Sequence, residues 1–275
     1  KRFNTKRSIV VNASLFSFGA SSQCLQTLSA AYLYRMEMPW FYLPALSSTG
    51  PVALDEAAAK HVQVLRMREG DALVLTNGAG LTGNAIIQTL GKKQCMVNVL
   101  VLQQQPRQVH RKVGMAISPL KNTARLEWFL EKATELGVAE IFPITCHRTV
   151  REHFRYERLN SICISAMLQS QQAWLPTLHQ PLTYEALMQQ IATSEVDYHS
   201  KWIAHCADFE KHHLANAVQP GMTDSLLLIG PEGDFTEAEI VQAIQQNFAA
   251  VSLGDTRLRT ETAGVVGASL LCLLP

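Results

Sequence analysis

The spacing of apolar and polar positions changes character near residue 105, and the change divides the chain in two. In the first part, Asp55 to Met67 has the pattern of a short helix leading into an extended piece. Ala72–Thr76, Leu81–Leu90 and Cys95–Leu102 then read as strands, separated by turn signals at Asn77-Gly78 and at Gly91-Lys92-Lys93. Strands joined by such short turns predict hairpins, and hence a small β-rich unit the size of a barrel. The glutamine-rich stretch Gln103–Gln108, interrupted by Pro106, is the best linker in the chain.

Beyond the linker, strands alternate with helices. Strands are predicted at Val113–Ser118, Glu140–Ile144, Trp202–Cys206, Ser225–Ile229 and Val251–Leu253. Helices are predicted at Thr123–Leu136, Tyr156–Gln171, Tyr184–Ile191 and Thr236–Asn247, with a last one from about Thr262. In the first of these helices Leu126, Phe129, Leu130 and Ala133 share one face, and Gly137 supplies a stop. Thr236 and Glu239 have the spacing of a capping box. The alternation implies an α/β domain built on a mostly parallel sheet covered on both faces. The final segment, Ala263–Leu274, has too few polar residues for a helix exposed all round.

Length and composition narrow this reading further. The chain has 275 residues, enough for one large domain or two ordinary ones, and 47% of them are hydrophobic against 17% charged, a folded rather than disordered composition. The net charge of +1 shows no bulk basicity, which leaves room for local basic clusters. Cys24, Cys95, Cys146, Cys163, Cys206 and Cys272 are scattered without a paired motif, which fits a reduced, cytoplasmic setting. No apolar run reaches the length of a membrane span. Residues 1–37 stand apart: Lys1, Arg2, Lys6 and Arg7 precede a serine-rich stretch, and no acid occurs before Glu37. This segment is read as an extension outside the fold, with a targeting role as the alternative.

Several motifs invite chemical readings. Gly78-Ala79-Gly80-Leu81-Thr82-Gly83 has the spacing of a dinucleotide loop, but a strand-like segment follows where a helix is required, so a hairpin loop is expected. Ser118-Pro119-Leu120-Lys121 matches an acyl-transfer spacing without its companion motifs. His205, Cys206, His212 and His213 fit no common metal-ligand spacing, and no metal is expected. The sharpest signals are two segments that run from a strand through a glycine-containing loop into a helix, Leu226–Phe235 and Ser252–Ala263. In the first, Gly230 and Gly233 are expected to allow close approach or a positive φ, and Pro231 stiffens the turn. Paired loops of this kind can bind a nucleotide-like ligand through main-chain groups, the alternative being an ordinary strand–turn–helix connection.

At these segments the chain resembles the bacterial 16S rRNA uracil-N3 methyltransferases of the SPOUT superfamily, which modify uridine 1498. His61–Met67, Lys121–Arg125, Glu131–Val138, Leu228–Gly233 and Leu253–Ala263 carry the resemblance, which runs from about Met38 to the C-terminus. Residues 1–37 have no counterpart, and Gln169-Ser170-Gln171-Gln172 departs from the usual pattern. The resemblance implies a PUA-like RNA-binding β-barrel at 38–106 and a SPOUT-type α/β domain with a deep trefoil knot at 107–275. It also implies a homodimer packed through the knot region, 16S rRNA or the small ribosomal subunit as partner, and S-adenosylmethionine as cofactor. The expected cofactor contacts are His205, Ile229, Gly230, Pro231, Glu232, Gly233, Leu253, Gly254, Leu258, Arg259 and Thr260. RNA contacts are expected from Arg66, Lys92, Lys93, Lys121, Arg125, Arg148 and Arg257. Arg259, Glu232 and Glu261 are the expected catalytic residues, with Arg259 stabilising a uracil anion and the two acids serving as base or orienting an arginine. Two alternatives stay open: a SPOUT enzyme methylating the ribose 2′-hydroxyl, and a non-catalytic RNA-binding protein.

Overall fold

Period-two alternation in the first part of the chain does produce a sheet. In the computed structural model, which describes residues 38–91, 94–107, 109, 111–150 and 154–274, this region holds β1 (Trp40–Tyr42), β2 (Gly50–Leu54), α1 (Glu56–Val64), β3 (Ala72–Thr76), β4 (Leu81–Leu90) and β5 (Cys95–Gln104). Expectations placed on residues 1–37, Lys92 and Lys93 lie outside the described residues. The strands run in the order β1-β3-β4-β5-β2, with β1 parallel to β3 and the other pairs antiparallel. Phe41, Leu73, Leu75, Ile87, Val97 and Val99 fill the core, and Ala59 and Val62 of α1 pack onto it. Asp55 caps α1 by accepting the Ala58 N–H at 2.7 Å. β5 runs two residues further than its apolar pattern indicates. Gln103 and Gln104 pair with Thr82 and Leu81, because ladder hydrogen bonds need backbone and not apolar side chains, so the linker is shorter than its composition implies. β1 and β2 were not anticipated; each is short and bordered or interrupted by proline.

The second domain follows as β6 (Lys112–Ile117), α2 (Thr123–Leu136), β7 (Glu140–Thr145), α3 (Tyr156–Gln169), β8 (Thr177–Leu178), β9 (Leu182–Thr183), α4 (Tyr184–Ala192), β10 (Ser200–Ala204), β11 (His212–His213), α5 (Leu214–Ala217), β12 (Asp224–Ile229), α6 (Glu237–Gln245), β13 (Ala249–Ser252) and α7 (Thr260–Leu273). The sheet order is β11-β13-β10-β12-β6-β7-β8, with β9 also on β7, and every pair is parallel. Alternate residues of the central strands build two cores. Val113, Met115, Ile117, Leu227 and Ile229 face Leu126, Phe129 and Leu130 of α2, Leu159 of α3 and Leu271 of α7. Ala116, Leu226 and Leu228 face Tyr184 and Leu187 of α4 and Ile240 of α6. Such continuous apolar runs are what strands buried on both faces require.

Helix ends obey local chemistry. Asn122 caps α2, Gly137 ends it in the left-handed region at φ 89°, and the Thr236–Glu239 capping box is present at α6. The last helix starts at Thr260, two residues before the expected point, and lies very close to both α2 and the sheet: a Cβ at Gly264 would meet the Phe129 ring of α2, and one at Gly267 would meet Leu227 of β12. Its other side leaves Leu273 69% exposed.

Candidate functional site

Strands β10, β12 and β13 all end at one edge of the sheet, and the loops leaving them enclose a cavity of about 850 Å³. That is the size of a small-molecule site, at the carboxyl ends of parallel strands where open α/β folds bind ligands. Two loops shape it. After Ile229, the Pro231 carbonyl accepts the Asp234 N–H at 2.9 Å, which closes a tight turn with Asp234 at φ 63°. Asp234 then ties this turn to the loop that follows β10: its Oδ2 accepts the Cys206 N–H at 2.7 Å. In the second loop Gly254 takes φ 142°, and the Thr260 hydroxyl donates to the Gly230 carbonyl at 3.1 Å, joining the two loops beneath the cavity.

Of the two roles expected of the first-loop glycines, close approach or a positive φ, the positive φ is corrected here. Neither Gly230 nor Gly233 has a positive φ; Asp234 and Gly254 carry the left-handed geometry instead. Gly230 is required for space, since a Cβ there would lie 3.0 Å and 3.1 Å from Cδ2 and Cε2 of the buried Phe235 ring.

The lining includes Ala204, His205, Cys206, Lys211, Ile229, Gly230, Pro231, Glu232, Asp234, Val251, Ser252 and the run from Leu253 to Thr260, with Ala263. Basic Lys211, Arg257 and Arg259 face acidic Glu232, Asp234 and Asp255, a mixture suited to a ligand with both signs of charge. His205 is the most informative group. It is 7% exposed, packs edge-on to Phe209, and among the described residues its ring nitrogens make no well-formed hydrogen bond, the Ala207 carbonyl offering only a weak one. Burial, and then the nearby Lys211 ammonium, hold its pKa below the usual histidine value, so the ring is neutral near pH 7. Its ring nitrogens are one donor and one acceptor in the neutral form, and both can serve a ligand in this cavity.

Every expected cofactor contact lines the cavity except Gly233, whose carbonyl accepts from Arg148 at 2.9 Å. Glu232, Arg257 and Arg259 are exposed around the cavity and form no ion pair among the described residues. Glu261 does not line it; it is 7% exposed in the first turn of α7, with Oε1 3.5 Å from Arg125 Nε. Of the expected RNA contacts, Arg148 braces the first loop through the Gly233 and Phe235 carbonyls and Arg125 meets Glu261, while Lys121 and Arg66 are exposed. Arg66 has a left-handed φ of 57° just past α1. Asp234 and Lys211 were missed. Asp234 follows glycine in a turn, a position where aspartate tolerates positive φ, and that was a usable signal. Lys211 donates to the His205 and Ala207 carbonyls at 3.2 Å and 2.7 Å, contacts set by loop folding alone. Among the described residues no group of acids, histidines and cysteines is arranged to hold a metal ion, and no helix is long and apolar enough to cross a membrane.

The chain thus sets a parallel α/β sheet, with paired loops around a nucleotide-sized cavity, after a small β domain. Residues 107–272 match the family described as the RNA methyltransferase domain, and residues 54–100 match the RNA methyltransferase PUA domain, so the chain belongs to this family. Within it, the chain is similar to proteins named Ribosomal RNA small subunit methyltransferase E. The Bacillus subtilis protein of that name is 27% identical over 239 residues, covering 83% of this chain and 90% of the relative. A probable rRNA-methyltransferase from Porphyromonas gingivalis superposes with a TM-score of 0.77 at 34% identity, over 86% of this chain and 98% of the other. Ribosomal RNA small subunit methyltransferase E from Neisseria gonorrhoeae, solved bound to S-adenosyl methionine, gives a TM-score of 0.75 at 28% identity, over 85% and 96%.

Proposed function

We propose that this protein transfers a methyl group from S-adenosylmethionine to N3 of uridine 1498 in 16S rRNA. The observation that carries the reading is the cavity lined by the two loops, with the buried His205 at its wall, in a chain similar over most of its length to small-subunit rRNA methyltransferases. His205, Asp234, Gly230 and the loop from Leu253 to Thr260 would hold the cofactor, which when bound supplies an electrophilic methyl group. The target base must be unpaired or flipped to reach it.

The protein's own residues then have three tasks. Uracil N3 is a poor nucleophile until its proton leaves, so a cation near O2 or O4 favours the anion. Arg259, exposed where α7 begins, takes that role. Glu232 lies at the same cavity and accepts the proton or orients the arginine. Glu261, buried against Arg125, acts through that arginine rather than on the base. Positioning supplies much of the rate, because the methyl donor is already activated.

Outside the cavity, the first domain grips RNA through Arg66 and its neighbours, and Lys121 and Arg257 hold phosphates. We further infer that the last loop is threaded in the trefoil knot of the SPOUT superfamily. Two copies pair through the outer sides of α2 and α7, where Trp128 is 43% and Leu273 69% exposed. The test is nucleoside analysis by mass spectrometry of unmodified small-subunit RNA, free and assembled, after incubation with protein and S-adenosylmethionine. 3-Methyluridine at position 1498 is the expected product; a 2′-O-methyl nucleoside, or no product on either substrate, refutes the reading.

A further inference from the structure

The Gly78–Gly80 segment is a hairpin loop between β3 and β4, as its surroundings imply, but it also docks the second domain. Ala79 and Trp174 form an antiparallel bridge. The Gly80 N–H donates to the Ala173 carbonyl and the Leu175 N–H to the Gly78 carbonyl, each at 2.9 Å. The Thr76 hydroxyl adds a bond to the Ala173 carbonyl at 3.3 Å. Trp174 sits at the middle of this contact. Its Nε1 donates to the Gln105 carbonyl at 3.1 Å, and the Gln105 N–H donates to the Gly80 carbonyl at 2.7 Å. The Arg107 guanidinium lies 4.3 Å from the indole centroid. Gln172, 5% exposed, fixes the same segment to the end of α2 by donating to the Thr134 and Glu135 carbonyls at 3.0 Å and 2.8 Å. Gly80 has φ 90°, and a Cβ there would overlap the indole, 2.6 Å from Cε2. The start of the apparent linker is therefore folded into the joint, and Pro39–Pro275 form one compact unit.

We propose that this contact is a rigid interdomain joint and that Trp174 is a positioning residue for RNA. It holds the first domain in one orientation, so that its RNA-gripping surface and the cavity engage a single RNA together. The proposal rests on the RNA methyltransferase reading above. Two surfaces on a rigid frame bind without ordering entropy, whereas two surfaces joined by a tether cooperate only through an effective concentration set by that tether. Opening the joint therefore weakens RNA capture and leaves the cavity intact.

The test uses the full chain, with Trp174→Ala and the double variant Ala79→Cys/Trp174→Cys. Ala79 and Trp174 are opposed as a non-hydrogen-bonded antiparallel pair, for which Cα atoms lie about 4.5 Å apart, within the disulfide range of about 4.4–6.8 Å. In Trp174→Ala the KM for rRNA rises about tenfold or more, while kcat at saturating RNA and the Kd for S-adenosylmethionine stay within about twofold. The oxidised double variant, its disulfide verified by mass spectrometry, keeps the wild-type KM; on reduction it behaves as Trp174→Ala. An unchanged KM in Trp174→Ala, or the same KM in oxidised and reduced forms, overturns the proposal. Hydrogen exchange at the Gly80 and Leu175 amides judges the joint without catalysis. These amides exchange slowly in the wild type and at least about tenfold faster in Trp174→Ala, since they open only with the joint. Equal rates in both proteins reject the joint, even if the wild type proves not to methylate rRNA, which would separately sink the functional reading.

Discussion

Replacing Arg259 with alanine separates chemistry from architecture more sharply than any other single change. Its side chain is exposed beside the cavity and makes no ion pair or hydrogen bond among the described residues, and although Arg259 is the N-cap residue of α7 it makes no side-chain capping bond. Surface substitutions without partners change stability by no more than about 0.5 kcal/mol, about 2 °C or less in Tm for a chain of this size. If Arg259 stabilises the uracil anion, its loss raises the barrier by about 2.7–4 kcal/mol, or roughly 10²- to 10³-fold in rate, the scale of one preorganised electrostatic donor. RNA affinity changes much less, because the interaction is strongest once N3 has lost its proton. Raising the pH partly restores the rate, as hydroxide then generates the anion unaided. Arg259→Lys recovers only part of the activity, since an ammonium lacks the planar fork. The assay is single-turnover methylation across pH, with RNA and S-adenosylmethionine binding measured in parallel. Normal turnover, or a failure traced wholly to lost S-adenosylmethionine binding, refutes the catalytic assignment and leaves Arg259 as a cofactor-loop residue.

Gly230→Val drives a branched Cβ into the Phe235 ring, which lies 3.0 Å from even the first added carbon; overpacking of about 1–3 kcal/mol is expected to weaken S-adenosylmethionine binding by about 5- to 150-fold with the far-UV spectrum preserved, and unchanged affinity by calorimetry removes this loop from the site. His205 has a depressed pKa, so the unfolded chain takes up its proton first as pH falls below about 6.5; His205→Phe should therefore reduce the loss of stability between about pH 7 and pH 5, as read from urea midpoints, and an identical pH profile rejects the buried neutral ring. The same variant should weaken S-adenosylmethionine binding by about 1–3 kcal/mol if a ring nitrogen meets the ligand, and equal Kd values exclude that contact. Arg66→Ala should lower the slope of log K against log salt for RNA by about 0.7–0.9 with S-adenosylmethionine affinity unchanged; an unaltered slope means this arginine touches no phosphate.

The elements were legible where their causes are local. α2 spans Thr123–Leu136 as expected because Asn122 and Gly137 punctuate it and its apolar face repeats every three to four residues. β3 and β4 have their expected bounds because alternation and turn residues act over a few positions. The two glycine loops and their neighbouring charges could be named for the same reason. Their mutual placement could not. His205, Gly230 and Gly254 share a cavity only because β10 lies between β12 and β13, and sequence order does not state spatial order. The tertiary fold also turned Arg148 into a brace and paired Glu261 with Arg125 in a buried turn of α7, although both look like surface charges along the chain. It buried His205 at the wall of the cavity and folded the linker into the Trp174 joint. Local periodicity and capping depend on neighbours within a turn or a hairpin, so one strand of sequence suffices to read them. Burial, pairing and cavity shape depend on groups tens to hundreds of residues away, as in the Gly80–Ala173 and Thr260–Gly230 hydrogen bonds, and only the folded chain brings those together.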